Sequence, residues 1–158
     1  MVSLTRVYQF SASHRLHSPA LSQAENARVF GKCNNPYGHG HNYALSVTVA
    51  GEVDKVTGRL INVRQLDDFV QLRVLNLFLH RNINEDVPQF AELVPTTENV
   101  ALVIANLLQQ DWAEFGGEAG PRLHRVHVQE TDRNGFEVLM PVLGTKKKVE
   151  IEDLLVHA

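Results

Sequence analysis

One alternation constrains this chain more than any other feature. From residue 39 onward, His39, His41, Tyr43, Leu45, Val47 and Val49 fall on one side of an extended backbone, with Asn42, Ala44, Ser46 and Thr48 on the other. A period of two lays the apolar set on one sheet face, so the segment predicts a half-buried strand. A second alternation, Arg6, Tyr8, Phe10, Ala12 and His14 against Gln9, Ser11 and Ser13, predicts a strand over residues 5–14.

The period then changes. Leu66, Phe69, Val70, Val74 and Leu77 recur at helical spacing, and Val100, Val103, Ile104, Leu107, Leu108, Trp112 and Phe115 do so again. Pro95-Thr96-Thr97 offers a capping hydroxyl, Glu98 complements the dipole of the first turn, and Gly116-Gly117 predicts the stop. Alternation returns from Leu123 to Thr131, and Phe136, Val138 and Met140 predict a partner strand across a turn at residues 132–135. The order is ββααββ, an α+β layer in which an antiparallel sheet carries two helices on one face. Residues 16–36 lack a clear period and read as a loop carrying Cys33, and Leu60 to Val63 reads as a short extended piece after a turn at Asp54–Gly58. Residues 1–140 form one domain in this reading, and 141–158 an extension with no assigned role.

The 158 residues, 44% hydrophobic, fit one domain with a genuine core. With 15 basic and 18 acidic residues, a net charge of -3 and no basic stripe, nucleic acid is excluded as the main partner. Cys33 is the sole cysteine, which precludes an intrachain disulfide and a thiolate-rich zinc finger. Its solitude, an N-terminal stretch without an apolar leader and the lack of a bilayer-length apolar run together predict a cytoplasmic protein without a membrane partner.

Eight histidines carry the chemistry. His39 and His41, two apart on one strand face, can aim both rings at one point, and His14 at the end of the first strand is the best third ligand. Three neutral imidazoles suit Zn2+ and leave its fourth position open, the catalytic arrangement. Gly38 and Gly40, lacking Cβ, allow close approach beside the ligands. The alternative is that alternating histidines are ordinary half-buried residues, as His17, His124, His127 and His157 are taken to be.

Phe10-Ser-Ala-Ser-His14-Arg-Leu, Cys33-Asn-Asn-Pro-Tyr-Gly-His39-Gly-His41-Asn-Tyr43, Thr96-Thr-Glu-Asn-Val100 and Glu130-Thr-Asp132, in this order over residues 1–140, together resemble the 6-pyruvoyl-tetrahydropterin synthase family, whose superfamily includes 6-carboxy-tetrahydropterin synthase. The resemblance implies the tunnelling fold (T-fold), zinc held by His14, His39 and His41, and a dihydroneopterin triphosphate substrate. It makes Cys33 the catalytic thiolate and Glu130 the anchor of the pterin ring, with Thr96, Thr97 and Glu98 lining the pocket. Each has a plainer alternative: a structural thiol for Cys33, a salt bridge for Glu130, capping for Thr96 or Thr97, and a dipole complement for Glu98.

The family normally has an aspartate before the histidine of Leu77-Phe-Leu-His80-Arg-Asn82, and here that position is Leu79. His80 keeps its place in the implied proton relay with the cysteine but loses the carboxylate that would orient it. The resemblance therefore implies a zinc lyase yielding 6-pyruvoyl-tetrahydropterin, with two alternatives: 6-carboxy-tetrahydropterin synthase, which releases acetaldehyde and feeds queuosine and deazapurine pathways, and a non-catalytic pterin- or zinc-binding paralogue. An iron oxygenase is a further option that three nearby histidines disfavour. The resemblance also implies a homohexamer, a dimer of trimers, with active sites between subunits. Arg15, Arg28, Lys32 and Arg64 are basic residues among which the phosphate contacts stay unassigned.

Overall fold

The structure, a computed structural model, describes residues 1–117 and 120–141. The two alternating segments form long strands, β1 (Val2–His14) and β2 (His39–Gly51), paired antiparallel from Val2↔Gly51 to His14↔His39. β4 (Arg122–Thr131) lies on the other side of β2, and β5 (Asn134–Leu139) completes that edge. On the free edge of β1 the two-residue β3 (Arg81–Asn82) pairs parallel, giving the order β3-β1-β2-β4-β5. The antiparallel expectation is thus corrected at one edge: the sheet is mixed, because a two-residue bridge is too short to leave a period in the sequence.

Helices cover one face. α2 (Val63–Val70) runs through a π-helical turn (Gln71–Leu75) into α3 (Asn76–Phe78). α5 (Thr97–Gln110) is followed, after a break at Asp111, by α6 (Trp112–Gly116). The expected start at Thr96 is confirmed: its hydroxyl accepts from Asn99 N at 3.3 Å. Gly117, at φ 71°, ends α6 as expected. Leu60–Val63 is not a strand; Asn62 caps α2 instead, accepting from the backbone N–H of Arg64 and Gln65. The expected loop 16–36 contains α1 (Gln23–Phe30), opened by a capping box between Ser22 and Glu25, and a 3-10 turn (Gly31–Asn34) that carries Cys33. The short α4 (Ile83–Asp86) follows β3 directly.

The core lies between the inner sheet face and these helices. Phe10, Tyr43, Leu45, Val47, Val126 and Val128 from the sheet meet Leu66, Val70, Val74, Phe78, Val100, Ile104 and Leu108, all buried. Burial of each such side chain contributes about 1.5–3 kcal/mol. The same alternation that buries Tyr43 and Leu45 aims His39 and His41 at the helix-covered side, at the end of the sheet where the core gives way to polar groups. The extension expected over 141–158 lies, from residue 142 on, outside the described residues.

Candidate metal centre and active site

Antiparallel register assembles the site. His14 ends β1 opposite His39, the first residue of β2, and Ala12 stands opposite His41. Directly paired residues share a face, so the three imidazoles meet. Their ligating nitrogens lie within 4.8 Å of one another, a group that can hold a metal ion. His14 Nε2 and His39 Nε2 are 3.2 Å apart, and the rings stand edge-on, with centroids 4.7 to 5.2 Å apart.

The protonation pattern follows from geometry. His14 Nδ1 lies 2.8 Å from the Pro95 carbonyl, which can only accept, so Nδ1 carries the proton and Nε2 presents its lone pair. Burial, foremost, holds the pKa of His14 below the usual value, and burial followed by the neighbouring His41 does the same for His39. Imidazoles held uncharged by burial, as those of His14 and His39 are, can turn nitrogen lone pairs toward a shared cation, so the donor set fits a metal.

Around this group the chain places most of the residues singled out from sequence. Glu130 Oε1 lies 3.6 Å from His14 Nε2 and 3.7 Å from His41 Nε2, its side chain 13% exposed. Tyr43, wholly buried, points its hydroxyl between Glu130 Oε1 (3.5 Å) and His14 Nδ1 (3.4 Å). Burial and then Glu130 raise the Tyr43 pKa, with Cys33 adding to the shift, so the phenol stays a donor. Cys33 is half-buried on its 3-10 turn, and its main-chain carbonyl accepts from Leu16 N at 2.9 Å, two residues beyond His14. Gly38 permits the turn to close: its φ is 68°, and a Cβ there would sit 2.8 Å from the His14 carbonyl oxygen.

Three expected residues form the N-terminus of α5. Thr96 caps it, Thr97 is buried and Glu98 is exposed, and the preceding Pro95 is the acceptor for His14. The helix start therefore abuts the metal group, although Thr96 makes its described hydrogen bond within the cap.

His80 is placed apart from them. It sits at φ 59°, a left-handed conformation for a side chain with a Cβ, and its N–H donates to the Ser11 carbonyl at 2.7 Å. It lines a cavity of about 380 Å³ with Ser11, His41, Asn42, Arg81 and Asn82. Among the described residues no carboxylate is hydrogen-bonded to its ring, and Asp86 is engaged with Asn82 N at 2.8 Å. Within one chain His80 is not brought into hydrogen-bonding contact with Cys33. Sequence reasoning missed Tyr43 as a site residue, although its place on the face of His39 and His41 was the available signal. It also missed the Pro95 carbonyl, which leaves no side-chain signature.

Fold and site together define an α+β protein whose sheet end gathers three histidines that can hold a metal ion, with the turn that carries Cys33 bonded to the segment after His14. The family model for 6-pyruvoyl tetrahydropterin synthase matches residues 3–140. The chain belongs to the 6-pyruvoyl tetrahydropterin synthase family. It is 47% identical over 131 residues to the human 6-pyruvoyl tetrahydrobiopterin synthase, covering 83% of this chain and 86% of that one. The Drosophila melanogaster protein of the same name is 44% identical over 133 residues, covering 83% and 75%. Among solved structures, Caenorhabditis elegans 6-pyruvoyl tetrahydropterin synthase superposes with a TM-score of 0.79 at 40% identity, over 89% of this chain and 96% of that one.

Proposed function

We propose that this chain is a zinc-dependent lyase that converts 7,8-dihydroneopterin triphosphate to 6-pyruvoyl-tetrahydropterin with loss of triphosphate. The observation that carries the reading is the convergence of His14, His39 and His41 beside Glu130, in a chain of this family. His14, His39 and His41 hold the ion, with the His14 tautomer fixed by the Pro95 carbonyl. Zinc at such a site supplies Lewis acidity toward the hydroxyls of a bound side chain.

The protein's own groups do the rest. Cys33 is the base that takes a proton from the pterin side chain, supported by its place on the turn bonded to Leu16. Glu130 accepts from the N–H groups of the pterin ring, a planar contact that a carboxylate fits, and the Tyr43 hydroxyl steadies it. Thr96, Thr97 and Glu98 border the pterin at the start of α5. His80 serves the relay from the neighbouring subunit. Its separation from Cys33 within one chain, and its exposed place beside the two-residue edge strand, favour that arrangement. Residues 1–140 are the catalytic domain, and 141–158 are an extension outside it. The protein works as a cytoplasmic homohexamer, a dimer of trimers, consistent with sheet edges that the described residues leave open.

Anaerobic incubation of the zinc-loaded protein with 7,8-dihydroneopterin triphosphate, with Cys33→Ala as control, tests the reading by its products. Triphosphate with a pyruvoyl pterin is expected from the unmodified protein alone. Acetaldehyde with a carboxypterin would assign the chain to the carboxy branch of the deazapurine pathways, and bound but unchanged substrate would make it a binding protein.

A further inference from the structure

The three residues that follow the ligand His14 are bonded on both flanks by asparagines. From α4, Asn84 Oδ1 accepts the Arg15 N–H at 2.8 Å and Asn84 Nδ2 donates to the Arg15 carbonyl at 3.0 Å. One carboxamide thereby continues the sheet pairing past the end of β1, where no strand is present. From the other flank, Leu16 N donates to the Cys33 carbonyl at 2.9 Å, and Asn34 Nδ2 donates to the Leu16 carbonyl at 2.8 Å. The Arg15 guanidinium adds a bond from Nε to the Asn34 carbonyl at 3.2 Å. Asn34 Nδ2 also lies 3.0 Å from His17 Nδ1, which therefore accepts.

These bonds form one continuous path from α4 through Arg15 and Leu16 to the turn that carries Cys33. The path begins one residue after His14, so the metal group and the thiol share a single short, doubly bonded segment. Two hydrogen bonds to one residue, one to the peptide group before it and one to the peptide group after it, fix its orientation as well as its position, which a single bond does not. Groups that act together need relative placement to well under an ångström, and a polar clamp behind the ligands supplies it.

We propose that Asn84 and Asn34 are positioning residues that set Cys33 against the metal ligands, with Asn84 the dominant member. The inference rests on Cys33 and the three histidines acting as proposed above, but its test does not depend on turnover. In Asn84→Ala the path loses both bonds to Arg15, so the backbone that holds the Cys33 carbonyl through Leu16 N is anchored on one flank only, and the turn that carries the half-buried Cys33 is freed to open.

The measurement is the rate of Cys33 alkylation by iodoacetamide in folded, metal-loaded protein, with kcat and KM for the pterin triphosphate recorded alongside. Asn84→Ala is expected to raise the alkylation rate by about threefold or more and to lower kcat by about tenfold or more, with little change in KM. Asn84→Asp keeps the acceptor for Arg15 N but sets a carboxylate oxygen against the Arg15 carbonyl, so it should recover only a minor part of the alkylation protection. An unchanged or lower alkylation rate in Asn84→Ala overturns the proposal, even if the melting temperature falls. Should the unmodified protein form no pyruvoyl pterin, the functional reading fails while the alkylation comparison still decides the clamp.

Discussion

At the scale of single residues, the site rests on side chains whose removal leaves something specific behind. His39→Ala takes away one of three converging nitrogens, and the expected outcome is loss of most bound zinc on dialysis, measured by elemental analysis, with the fold retained. Gly38→Ala puts a methyl group 2.8 Å from the His14 carbonyl at a φ of 68°. It should cost about 1–3 kcal/mol in urea unfolding, whereas the substitution at Gly58, where φ is also 68° but nothing lies within 4 Å, should cost less. Much of this layer was legible in the sequence, because His-x-His on an alternating strand and a lone cysteine six positions earlier are patterns of residue type. Tyr43 and Asn84 were not legible as site and clamp. Tyr43 reads as core by its period, and Asn84 acts on a backbone 69 positions away, a contact that no local spacing encodes.

At the scale of elements, the strands and the two long helices follow from hydrophobic period, since each buries one face against the other layer. What escaped was structure without a period. α1 lies within the segment taken as a loop because its only buried residue is Asn26, a polar one. That carboxamide bonds Ser18 N, Ser18 O, Leu21 O and Ser22 O, and so packs α1 by hydrogen bonds rather than by an apolar stripe. A signal was nonetheless present in Ser22-Gln-Ala-Glu25, the sequence form of a capping box. Ser22→Ala should lower stability by about 1 kcal/mol, read as a shift in the urea midpoint with unchanged slope. β3 escaped for a different reason: its two residues pair with β1 in a bridge too short to leave a period, next to the His80 N–H bond to the Ser11 carbonyl.

At the scale of the whole molecule, charge and assembly decide behaviour in solution. The buried His14 and the crowded His39 hold fewer protons folded than unfolded at pH values below about 6.5. The unfolded chain therefore gains protons first as the solution is acidified, so the metal-free protein is at full stability above that pH and loses it as pH falls through the window below. Its denaturation midpoint at pH 5.5 should lie below that at pH 7.5, and His14→Gln should narrow the gap. Assembly is the other global quantity. Sedimentation should give about six times the 17.7 kDa chain mass if the proposed hexamer forms, and a monomer would sink that part of the functional reading.

The hydrogen bond from His14 Nδ1 ends on the main chain of residue 95 rather than on a side chain. No exchange of one genetically encoded side chain for another deletes that oxygen, so a scan by alanine would pass over a group on which the ligand's tautomer depends. What heredity must preserve there is a path of backbone rather than an identity. The bond can be weakened by chemical synthesis, replacing the peptide link after Pro95 by an ester whose carbonyl accepts less well, a change that also removes the Thr96 N–H bonded to the Val94 carbonyl.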